Sequence, residues 1–77
     1  MSNVDAINVS VYPNPATDVI NVRGEGIISV EVIDVAGRVV RTAEGEGAIN
    51  TTDLSAGTYM VRTVTNQGVC AKRIVKK

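Results

Sequence analysis

The side chains that could do chemistry in this 77-residue chain are few: Cys70, the aspartates Asp5, Asp18, Asp34 and Asp53, and a run of cations near the C-terminus. A cysteine nucleophile needs a base beside it, and the sequence has no histidine to serve as one. Cys70 falls inside an expected strand, where an unpaired cysteine ordinarily acts as a small buried hydrophobe. One cysteine without histidine also rules out an internal disulfide and the usual zinc ligand sets. The aspartates stand at expected strand starts and turns, where a carboxylate closes a turn on its own backbone. No catalytic residue, metal site or cofactor is expected, and the chain reads as a non-enzyme.

Three further patterns carry little chemistry. "GEGII" (Gly24 to Ile28) and "GEGAI" (Gly45 to Ile49) repeat a Gly-x-Gly 21 residues apart. A phosphate loop needs a third glycine and a following helix, and Glu25 and Glu46 would repel the ligand, so both read as flexible turns. Asn8-Val9-Ser10 and Asn50-Thr51-Thr52 fit the glycosylation sequon, which has meaning only in a host that modifies it. Arg62, Lys72, Arg73, Lys76 and Lys77 lack interleaved aromatics, since Tyr12 and Tyr59 are the only ones in the chain, so nucleic acid is not an expected partner.

The charge is balanced overall but divided along the chain. Residues 1–61 hold all eight acids against Arg23, Arg38 and Arg41, a net of −5, and residues 62–77 hold a net of +5. Two roles fit the basic end: cations lining an edge strand to discourage pairing with other chains, and a handle for an acidic partner. No apolar run approaches the roughly 18 residues that would span a bilayer, and direct membrane insertion is not expected. The N-terminus lacks the layout of a secretory signal.

The elements that must position these groups are strands. Fourteen Val, seven Ile and seven Thr stand against one Leu, and such β-branched side chains suit a pleated surface. Period-2 alternation and turn residues predict seven strands: 7–12, 18–23, 28–34, 39–43, 48–51, 58–65 and 69–75. Ile28, Val30 and Val32 are expected on one face, and Tyr59 and Val61 on the inner face of the sixth strand. "DVAGR" and "TNQGV" read as hairpin turns whose glycines take positive φ, and Leu54 as a plug beneath the sheets. Seven short strands with such turns predict an all-β, immunoglobulin-like antiparallel β-sandwich. A chain this short buries only about 60 % of its unfolded surface and forms one domain, here residues 7–77, with residues 1–6 as the tail of a linker or an expression start.

"VYPNP" (Val11 to Pro15) interrupts that pattern. Proline fixes φ and donates no hydrogen bond, so the stretch is expected to be a stiff corner. It is expected to carry the chain from the first strand in one sheet to the second strand in the other.

Taken together, "VYPNPATDVINV" (Val11 to Val22), "VEVIDVAGRVV" (Val30 to Val40), "INTTDLSAGTYMVRT" (Ile49 to Thr63) and "KRIVKK" (Lys72 to Lys77) resemble the C-terminal sorting domains of type IX secretion cargo proteins of Bacteroidetes. The resemblance implies a folded address at the end of a precursor. Its partners would be the N-terminal cargo domain, the outer-membrane translocon and a cell-surface sortase-like cysteine protease that usually removes the domain. Transit through the periplasm to the cell surface, outer membrane or medium would follow. The family motif carries over to Pro13, Asn14 and Pro15 at the corner, to Asp34, Gly37 and Arg38 at the first hairpin, and to Gly57 and Tyr59 before the sixth strand, all with a structural role that suffices. Lys72, Ile74, Lys76 and Lys77 are the expected contact with the translocon and sortase. Cys70 departs from the family pattern and would support a disulfide-linked dimer, as an exposed edge would support a strand-exchanged one. A different reading is an adhesive or ligand-binding module retained on an extracellular enzyme.

Overall fold

The computed structural model describes residues 9–77. They form seven strands: β1 (Val9–Tyr12), β2 (Val19–Gly24), β3 (Ile27–Ile33), β4 (Val39–Glu44), β5 (Gly47–Asn50), β6 (Gly57–Thr65) and β7 (Gly68–Lys76). From β2 onward, the boundaries differ from those predicted by alternation by no more than one residue. The expected linker, residues 1–6, lies outside the described residues, as do Ile7 and Asn8, where the first strand is expected to start.

The strands form two antiparallel sheets, ordered β1-β2-β5 and β4-β3-β6-β7, which together make the all-β sandwich. Alternation decides what lies between them. Val9, Ile20, Val22 and Ile49 face inward from the first sheet, and Val30, Val32, Tyr59, Val61 and Ile74 from the second. Each such side chain withdrawn from water contributes about 1.5–3 kcal/mol, and so small a domain needs nearly all of them. Leu54 packs partly against this core from the loop before β6, as a plug would.

Two expectations are corrected. β1 and β2 pair directly, Val9 opposite Gly24 and Tyr12 opposite Asn21, so the proline corner does not carry the chain between sheets. Instead the corner swings out to the opposite sheet's edge strand and returns. Ile28 is 56 % exposed rather than aligned with Val30 and Val32. The β3–β6 register passes from Ile27↔Thr65 to Ser29↔Val64, so Ile28 is the extra residue of a bulge, and Ile27 packs against the core in its place.

Among the described residues the chain crosses between sheets three times, twice at the Gly-Glu-Gly turns and once at the 51–56 loop between β5 and β6. The first Gly-Glu-Gly turn joins β2 to β3 and the second β4 to β5, and these two lie together, with Gly45 N–H donating to the Ile28 carbonyl at 3.1 Å. Gly26 shows why glycine stands here: its φ is +67°, and an added Cβ would lie 2.3 Å from the Asn66 side-chain oxygen.

Candidate functional site

The residues singled out by the sequence converge on one end of the sandwich, around β7. This strand is the edge of the four-stranded sheet, paired on one side with β6 from Gly57↔Lys76 to Thr65↔Gly68. Its other side is closed over the last turns of the chain by the proline corner. Ala16 forms a parallel bridge with Lys76: Ala16 N–H donates to the Val75 carbonyl at 2.7 Å, and Lys77 N–H to the Ala16 carbonyl at 2.9 Å.

Asn14 extends this closure with its side chain. Its carboxamide oxygen accepts from Val75 N–H at 3.1 Å, and its NH2 group donates to the Arg73 carbonyl at 3.4 Å. The amide thus imitates one more residue of a paired strand. Pro13 and Pro15 flank it, where missing N–H groups cost nothing because the corner pairs through Asn14 and Ala16. Ala16 is fully buried and joins the core. The corner and the terminal strand form one unit.

Outward-facing backbone groups alternate along an edge. Arg73 and Val75 meet the corner, and the N–H and C=O groups of Val69 and Ala71, in the same phase, point to the same side without a backbone partner among the described residues. Among the described residues the edge of β7 is therefore paired from Arg73 onward and unpaired before it.

The four terminal positions divide by burial, although Lys72, Ile74 and Lys76 share one face of β7. Ile74 is buried in the core, opposite Tyr59. Lys76 is only 8 % exposed; its ammonium donates to the Leu54 carbonyl at 3.2 Å and to the backbone oxygen of Lys77 at 3.4 Å. Lys72 and Lys77 are exposed. By sequence alone all four read as a surface. The strand period held the missing signal, since Lys76 stands two residues beyond an inward isoleucine.

Tyr59 joins the same end. Its ring is in the core, and its hydroxyl donates to the Ser55 carbonyl at 2.7 Å, the hydrogen bond of a tyrosine corner in immunoglobulin-like sandwiches. Gly57 opens β6 at φ +151°. Arg41 pairs with Asp53, and its Nε donates to the Asn50 carbonyl at 3.1 Å. The 51–56 loop is thereby held from three strands.

Asp34, Gly37 and Arg38 form the β3–β4 turn. One Asp34 oxygen accepts from Arg38 N–H at 2.9 Å and Ala36 N–H at 3.0 Å, and the other from Arg38 Nε at 3.1 Å. Gly37, at φ +87°, returns its N–H to the Asp34 carbonyl. The backbone hydrogen bond from Arg38, aided by its guanidinium and by Ala36 N–H, holds the Asp34 carboxyl below its ordinary pKa, against a smaller opposing effect of desolvation. Cys70 lies half-buried on β7, opposite Thr63. Among the described residues no group of His, Cys, Asp or Glu is arranged to hold a metal.

The family model for secretion system C-terminal sorting domains matches residues 10–77, which spans the corner, both hairpins and the terminal strand. The chain belongs to that family. A search of curated proteins finds no match to the chain. Members of this family serve as type IX sorting signals rather than as catalysts, so the sorting domain is directed toward the cell surface or the extracellular space and is recognised by the type IX secretion machinery.

Proposed function

We propose that the domain is the folded address of a precursor whose N-terminal cargo reaches the periplasm by a separate signal. The outer-membrane translocon then reads the address, and a sortase-like cysteine protease removes it at the cell surface. The observation that carries this reading is the family match over residues 10–77, unbroken from the corner to the terminal lysines. Lys72 and Lys77 are available to a partner, while Ile74 and Lys76 support the strand from within. The edge at Val69 and Ala71, unpaired among the described residues, offers backbone groups for strand addition. Two copies exchanging strands along β7, or joined through Cys70, would occupy the same strand and compete with the translocon.

The test is a fusion of residues 1–77 to the end of a periplasm-targeted fluorescent protein in a Bacteroidetes host. Fluorescence at the surface or in the medium, lost when the translocon is deleted, is the expected result. Periplasmic retention in both strains would reject the proposal.

A further inference from the structure

The outer face of the four-stranded sheet carries apolar side chains that no element of the described chain covers. Strand register places Val39, Ile33, Met60 and Arg73 in one row across β4, β3, β6 and β7. Val75, opposite Thr58, lies on the diagonal from Met60, within reach of the same contact. Val35 projects from the adjoining turn. Their exposure is 85 % for Val35, 49 % for Val39, 42 % for Val75 and 40 % for Met60. Ile33, Val35, Thr58, Tyr59 and Met60, with Asp34 paired to Arg38, border a shallow depression of about 230 Å³, room for an apolar side chain from outside.

The rim of this patch is cationic. Arg73 ends the row, the exposed Lys77 follows just beyond β7, and Arg38 stands in the turn with its terminal guanidinium nitrogens beyond the Asp34 contact. A contiguous apolar surface with a charged border is the layout of an interaction site, and cations at the border select a partner with carboxylates beside its apolar anchor. Glu31 and Arg62 form an ion pair of 3.1 Å across the next row of the same face. Pressing that pair into a bilayer would strip its water, and Glu31 would repel anionic headgroups. A protein can leave it wet at the edge of the contact.

We propose that this face is where a protein of the secretion machinery docks, through an apolar residue flanked by acids. The terminal strand is then recognised through Arg73 and Val75 on its outer side, with Ile74 and Lys76 facing away. The proposal rests on the sorting reading above and adds to it the face that is read.

The same fluorescent fusion tests it, with the 77-residue domain also purified for thermal melting. The double variant Met60→Glu/Val75→Glu should lower export about tenfold or more, as loss of a central anchor does. Val19→Glu, on the outer face of the other sheet, should export within about twofold of the unmodified fusion. Should the double variant melt well below the unmodified domain, the rim decides: Arg73→Glu is expected to impair export and Arg73→Lys to preserve it. Undiminished export of the folded double variant would overturn the proposal and leave the sorting reading intact. So would equal export of Arg73→Glu and Arg73→Lys. Retention of the unmodified fusion would remove both. Binding of the purified domain to anionic phospholipid vesicles, abolished by Met60→Glu/Val75→Glu, would overturn the choice of a protein partner in favour of a lipid surface.

Discussion

Two loops at the same end of the sandwich are held in opposite ways. The turn at 34–38 supplies its own partners: Asp34 accepts from Ala36 and Arg38, and Gly37 closes the backbone ring. The loop at 51–56 borrows nearly all of its partners. Thr51 N–H donates to the Asp18 carbonyl, Tyr59 reaches back to Ser55, Lys76 reaches across from β7 to Leu54, and Arg41 pairs with Asp53. A self-contained turn can form whenever its few residues meet. A borrowed loop becomes ordered only when the sandwich has assembled and β7 has docked. The position of the 51–56 loop therefore reports whether the terminal strand is in place.

That difference predicts which substitutions are felt beyond their own site. The largest effect should come from Tyr59→Ala, which empties a core position and frees the Ser55 carbonyl together. A loss of about 3–5 kcal/mol in denaturant unfolding is expected, enough to leave so small a domain largely unfolded. Tyr59→Phe separates the two roles. It should cost about 1 kcal/mol and raise amide exchange in the 51–56 loop while exchange at 35–38 stays unchanged. Equal acceleration in both loops would break the distinction between them.

Lys76→Met comes next. The thioether keeps most of the buried stem but leaves the Leu54 carbonyl without its donor, and a charge-assisted hydrogen bond of this kind is worth about 1.5–3 kcal/mol. Chemical denaturation should read a loss near the lower figure, with faster exchange again confined to the 51–56 loop. A Lys76→Met domain as stable as the original would show that its ammonium is not a pin, and would return Lys76 to the surface role that the sequence suggested.

The same contrast explains what could be read from the sequence. "DVAGR" declares its turn within five residues, because an aspartate that accepts from following amides and a glycine at positive φ are both local requirements. The strands were equally legible, since side chains alternate at a period set by the backbone. Lys76 was not, because its charge argues for exposure more loudly than its phase argues for burial, and the carbonyl it satisfies is 22 residues away. Asn14 was harder still. Its partners on Arg73 and Val75 lie 59 and 61 residues along the chain, and no local pattern announces a side chain that stands in for a strand. The pairing of β2 with β1 is equally hidden: the prolines announce a corner, but the corner's destination is a non-local fact. Ile28 failed for a different reason, since one bulged residue reverses the phase without changing the composition.

The smallest effect should be that of pH on the self-contained turn. In the folded domain, hydrogen bonds from Arg38 and Ala36 hold the Asp34 carboxyl below its ordinary value of about 3.9, so the folded state binds its proton less readily than the unfolded chain. The resulting stability is fully present above that ordinary value and is lost as pH falls through the lower folded one. Asp34→Asn keeps one acceptor and cannot titrate, so the variant should melt below the parent at pH 7, and the gap should close as the solution is acidified below pH 4. The loss should appear as faster exchange at 35–38 without change at 51–56, the mirror image of Lys76→Met. A gap that stays constant down to strong acid would mean that the carboxylate is not what closes the turn. The chain geometry around Gly37 would then have to hold it alone.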